Sequence, residues 1–158
     1  MLEKELESIW VEGIPSKIEK DDLLNLQEVL NICLQYFIKD YLKDKEYNLE
    51  GINPNPNQIP HVLLTKGNKK YAVIIVPCVY PRYHLMQEEV RIQFVKDCQE
   101  KNAIPLYCPV LIASYDALRA EQGLMLKGDL FNVRIVKQKI LNQEAKQDLT
   151  LQSLDFEL

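Results

Sequence analysis

Pro60-His-Val-Leu-Leu-Thr65 and Tyr71-Ala-Val-Ile-Ile-Val76, separated by Lys66-Gly-Asn-Lys69, decide how this chain folds. The second run is continuous, apolar and β-branched, the pattern of a strand covered on both faces. Gly-Asn between lysines is turn chemistry, so the two runs read as a hairpin. Pro77 and Pro81 are expected to end the second strand, because proline gives the ladder no N–H. The same region lacks carboxylates: between Glu50 and Glu88 there is no Asp or Glu, although the chain holds 23.

Upstream, Leu23, Leu26, Leu30, Cys33, Phe37 and Tyr41 recur at three- and four-residue steps, one face of a long helix from about Asp21. Leu24, Leu34, Ile38 and Leu42 widen that stripe. Before it, residues 2–11 read as a short helix carrying Trp10, and Ser16-x-x-Glu19 has capping-box spacing. Asn53-Pro-Asn-Pro-Asn-Gln breaks the chain ahead of the hairpin.

Downstream, a helix is expected from about Leu85 to Lys101, with Met86, Val90, Phe94 and Cys98 on its buried face. Ile104 to Ala113 reads as a second central strand, so strand, helix and strand form a crossover unit with parallel pairing. Asp116 to Glu121 fits a helical turn. Gly123 to Ile140 alternates about Gly128-Asp129 and reads as a late hairpin. The expected architecture is an α/β domain, residues 1–141, with a mixed β-sheet flanked by helices and an extra C-terminal hairpin. Residues 142–158 read as a polar tail, either a short helix or partly disordered.

At 158 residues the chain is long enough for one full-sized core. No stretch reaches the roughly 20 apolar residues that span a bilayer, and the acidic N-terminus is unlike a signal peptide. These features place it in the cytoplasm, with no membrane partner. Charge is uneven: −6 over residues 1–59, +3 over 60–110 and −1 over 111–158. The overall −4 makes a nucleic-acid partner the less favoured reading despite the basic middle. Cys33, Cys78, Cys98 and Cys108 form no CxxC pair, and Cys78, His84 and Cys108 match no zinc spacing.

Helix, hairpin, helix, strand, with Pro60-His61 ahead of the hairpin, resembles the core of the restriction-endonuclease-like superfamily, known by its PD-(D/E)XK motif. Archaeal-type Holliday junction resolvases and many small nucleases share that arrangement. The likeness covers roughly residues 20–113. It implies a site in which the Asp after the proline and a carboxylate on the second hairpin strand hold a divalent metal, with a Lys two positions later acting on water. Hard Mg²⁺ needs such oxygen ligands. Here His61 stands at the first position, and the hairpin register puts Ile75 and Pro77 at the other two. The resemblance therefore implies a nuclease-like scaffold without the nuclease site, so no cofactor and no metal are expected.

Other residues carry weaker signals. Lys66, Lys69 and Lys70 form a basic turn that lacks phosphate-loop spacing. Tyr80, Arg82, Tyr83 and His84 set aromatics beside a guanidinium, a combination that stacks on bases or anchors a protein. The favoured reading is a non-catalytic interaction or scaffold domain with an unknown protein partner or self-association. A metal-dependent hydrolase assembled from Glu28, Asp40, Glu88, Glu89 and Asp116, with Lys66 or Lys70 nearby, stays open as the alternative. So does a nucleic-acid-binding module using the basic middle.

Overall fold

The computed structural model describes residues 22–79 and 86–158. The expected helix at 2–11, Trp10, the Ser16–Glu19 cap and the cluster Tyr80, Arg82, Tyr83 and His84 lie outside the described residues. Helix α1 (Leu26–Tyr36) begins later than Asp21, because Asn25 and Glu28 form a reciprocal capping box. The Asn25 side chain accepts the Glu28 N–H at 2.9 Å, and the Glu28 carboxylate accepts the Asn25 N–H at 3.2 Å. Leu23, read as part of the helix, instead bridges to Leu126. Beyond Tyr36 the helix widens into a π turn, Phe37–Tyr41, with the Phe37 ring buried and stacked 5.7 Å from Tyr41.

The strands are β1 (Asn48–Ile52), β2 (Val62–Lys66), β3 (Lys69–Val79), β4 (Ile104–Ser114), β5 (Phe131–Arg134) and β6 (Lys139–Ile140). They form one mixed sheet in the order β1-β2-β3-β4-β5, with β6 also paired to β4. The expected hairpin is present: β2 and β3 pair from Val62↔Val73 to Lys66↔Lys69 around Gly67, whose φ is 60°. Helix α2 (Glu88–Glu100) then carries the chain to β4, which lies parallel to β3 from Tyr71↔Ile104 to Val79↔Ile112. This is the crossover that two long apolar runs separated by a helix dictate. The domain is thus a mixed α/β fold. Strand β1 had no sequence signal, because an exposed edge strand of Asn-Leu-Glu-Gly-Ile has neither alternation nor a β-branched run.

Alternation along β3 and β4 divides the core. Val73, Ile75, Leu106, Cys108 and Val110 face α1 and pack with Leu26, Leu30, Cys33 and Phe37. Ala72, Ile74, Val76, Cys78 and Tyr107 face the other way, against Phe94, Val95 and Cys98 of α2. All four cysteines are buried and outside any disulfide, and burial raises the thiol pKa of Cys33, Cys98 and Cys108, which leaves those three unreactive.

Three expectations are corrected. Strand β3 does not stop at Pro77 but runs through it to Val79. Pro77 has the parity of Ile75, whose N–H points toward the β2 side, and β2 pairs no further along β3 than Val73. The missing N–H therefore costs no ladder bond. On α2, Val90 is exposed and Arg91 is buried, so the inner face is turned from the one expected. The late hairpin is also absent: β5 and β6 each pair antiparallel with β4, at Leu111–Ser114 and Leu106–Tyr107 respectively. A loop separates them, and Leu126 bridges to Leu23 instead of continuing a strand.

Residues 142–158 contain one 3₁₀ turn, Leu151–Ser153, and bury Leu149, Leu154 and Leu158. Leu149 and Leu154 fill the α2 side of the sheet, while Leu158 joins the α1 side. The segment wraps one edge of the sheet as a strap.

Candidate functional site

The three motif-equivalent positions come together. His61, Ile75 and Pro77 line one small pocket, with Pro56 and with Leu26 and Leu30 from α1. Its volume is about 10 Å³, close to the space of one water and far below that of a metal ion with its coordination shell. No carboxylate or lysine lines it.

His61 is 2% exposed, and its main-chain groups and Nδ1 each have a structural use. Its N–H donates to the Val73 carbonyl at 2.9 Å, and its carbonyl accepts the Asn53 N–H at 2.7 Å. The imidazole then extends the ladder past the end of β2, with Nδ1 accepting the Ile75 N–H at 3.0 Å. A ring nitrogen that accepts a hydrogen bond carries no proton, so the proton sits on Nε2. In this tautomer neither nitrogen offers a lone pair to a metal or to a substrate proton. Nε2 has no hydrogen-bond acceptor of good geometry among the described residues.

Burial pushes the His61 pKa down from 6.5 to about 4, and the Asn55 backbone offsets only part of this. The unfolded chain therefore takes up the proton near pH 6.5 and the folded chain only near 4. The stability tied to the neutral ring is complete above pH 6.5 and is lost as pH falls toward 4, about 3 kcal/mol in all. Urea unfolding of the wild type and His61→Asn at about pH 7 and about pH 4.5 checks this. Asn can keep the Ile75 acceptor without titrating, so the variant should lose less stability on acidification.

The other expected residues do not converge on this pocket. Lys66 donates to the Lys45 carbonyl at 3.3 Å and lies 4.9 Å over the Tyr47 ring, while Lys69 and Lys70 are exposed on the hairpin. Glu28 is engaged in the α1 cap, and Glu88 and Glu89 open α2. Asp116 caps α3 (Ala117–Glu121), accepting the Arg119 N–H at 2.9 Å. Asp40 lies exposed on the π turn. Among the described residues, no three His, Cys, Asp or Glu side chains are grouped to hold a metal. No described helix is long and apolar enough to cross a membrane.

A different surface emerges at the far end of β4. Tyr115, Leu118 and Leu130 are 65%, 67% and 76% exposed. The Tyr115 N–H donates to the Leu130 carbonyl at 3.0 Å, so two of these side chains stem from adjoining strand ends. Arg119 clamps Asp129 with two bonds of 2.9 and 2.8 Å, tying α3 to the turn that carries Leu130. Nothing in the linear sequence marked this patch, because Leu130 lies twelve or more residues from Tyr115 and Leu118.

The model of a domain of unknown function, DUF8840, matches residues 27–143. The chain belongs to the DUF8840 family. The match runs from the start of α1 through β6 and so contains the mixed sheet, the Tyr115 patch and all of the His61 pocket lining except Leu26, whereas most of the strap lies beyond it. No curated protein and no solved structure matches the DUF8840 chain.

Proposed function

We propose that this DUF8840 chain is a non-catalytic protein-interaction or scaffold domain on a restriction-endonuclease-like framework. Support for the framework comes from the order helix, hairpin, crossover helix, strand, and from His61, Ile75 and Pro77 meeting where that resemblance puts a metal site. One observation carries the non-catalytic reading: at that place the side chains are apolar, and the single imidazole is committed to the Ile75 N–H. A hard cation has no oxygen ligand there. The exposed apolar patch of Tyr115, Leu118 and Leu130 supports an interaction role, because clustered exposed apolar side chains mark protein contacts.

Incubation of supercoiled plasmid with the protein and Mg²⁺ or Mn²⁺ should give no nicking above a protein-free blank. Metal-dependent turnover that disappears in His61→Ala would overturn the proposal. Replacing Leu118 and Leu130 by Ser should leave the melting temperature nearly unchanged, since surface substitutions cost about 0.5 kcal/mol or less. The same pair should abolish any self-association seen by light scattering or any partner captured by the wild type. Retention of that association would remove the patch from the reading.

A further inference from the structure

Near its end the strap is bridged antiparallel at Phe156 to Gln138, the residue just ahead of β6. Burial alternates from Leu154 to Leu158, with Asp155 and Glu157 exposed between more buried neighbours. Gln138, fully buried, donates its N–H to the Phe156 carbonyl at 2.7 Å and accepts the Phe156 N–H at 3.0 Å. Its side-chain oxygen accepts the Leu158 N–H at 3.0 Å, and the Tyr41 hydroxyl fixes the amide from 3.0 Å. Lys139 adds the Ser153 carbonyl at 2.9 Å and the Asp155 carboxylate at 3.2 Å. The Phe156 ring packs 6.2 Å from Tyr71, and Leu158 enters the α1 side of the core.

Main-chain bonds to a sheet edge, with seats for every second side chain, are how strand addition binds an extended peptide. The receiving residues Tyr41, Tyr71, Gln138 and Lys139 lie inside the family match, whereas residues 153–158 lie outside it. The groove thus belongs to the shared domain, and the segment filling it does not. We infer that the edge of β6 is a strand-accepting groove for an extended peptide of the pattern acidic, aromatic, any residue, aliphatic. Asp155-Phe-Glu-Leu158 occupies it in cis. A partner carrying this pattern binds when the cis segment is displaced, whether or not the domain has any catalytic activity.

The test uses the full chain. Phe156→Ala with Leu158→Ala empties both seats while keeping the chain length. A fluorescein-labelled peptide Ser-Leu-Asp-Phe-Glu-Leu should bind this variant saturably by anisotropy, about tenfold or more tighter than the wild type, whose groove is filled at high effective concentration. The same peptide with Ala for Phe and the final Leu should not compete. Equal affinity for variant and wild type, or no saturable binding to a variant that circular dichroism shows folded, would overturn the inference. If the variant is unfolded, the wild type is titrated instead with unlabelled peptide while amide exchange of Phe156 and Leu158 is followed. Accelerated exchange on adding peptide supports displacement from the groove, and unchanged exchange at saturating peptide refutes it.

Discussion

Ile75→Glu is expected to unfold the domain at neutral pH, with no rescue by Mg²⁺ or Mn²⁺. Ile75 is fully buried at the centre of the sheet, facing Leu26 and Leu30 of α1. A carboxyl group in such a site ionises only near pH 8 to 9, against about 4.3 in the unfolded chain. Holding it neutral at pH 7, or charged without a partner, costs about 4 kcal/mol, and the lost packing of the isoleucine adds to this. The sum takes up much of the 5–15 kcal/mol that domains of this size possess. Because the folded pKa is raised, the penalty is complete above it and fades as pH falls toward 4. Relative to the wild type, the variant should therefore recover on acidification, even while both chains lose the His61 contribution over the same range. Urea unfolding across pH reads this out. A variant that is folded at pH 7 and melts higher with Mn²⁺ would mean that the pocket opens to take an ion, and the non-catalytic reading would fail with it.

Arg91→Ala should cost about 4 kcal/mol and release the strap. The Arg91 side chain is buried on α2, and its guanidinium donates to the carbonyls of Asn142, Glu144 and Ala145. Hydrogen bonds from a charged group contribute about 1.5–3 kcal/mol each, though three sharing one donor group do not add fully. The arginine stem also covers the helix face that Val90 leaves, so its removal opens a gap in the core. Arg91→Lys keeps the charge but replaces the planar fork with a point donor, and should recover only part of the loss. Chemical unfolding gives the magnitude, and amide exchange at Leu149 and Leu154 shows whether the strap loosens before the sheet does. Wild-type exchange rates in the strap of the Ala variant would show that those leucines, rather than Arg91, hold the segment.

The two corrections on β3 and α2 share a physical cause. Proline and arginine look like a stop and a surface residue when only the chain is read, since one donates no N–H and the other carries a charge. Pro77 continues the strand because its nitrogen faces the place where β2 has stopped pairing. Arg91 is buried because a loop fifty residues away presents carbonyls to it. Such compensations come from tertiary neighbours and leave no local trace. Gln138 and the strap are similar: residues 142–158 read as polar, yet three leucines spaced through that segment find cover on two different faces of the sheet.

What the residues determined by themselves was the sheet centre and its chemistry. Two apolar, β-branched runs joined by a helix leave little alternative to parallel pairing buried on both faces, and a stretch free of Asp and Glu leaves the hairpin itself without a carboxylate in any register. That Ile75 and Pro77 share a face of the strand is strand parity, a property of the chain, whereas their meeting with His61, Pro56 and the α1 leucines is set by packing. Only the tertiary structure decided what the imidazole does, which edge the strap closes, and that Tyr115 and Leu130 adjoin. Each of these depends on groups distant in sequence, whose meeting is set by packing and not by period.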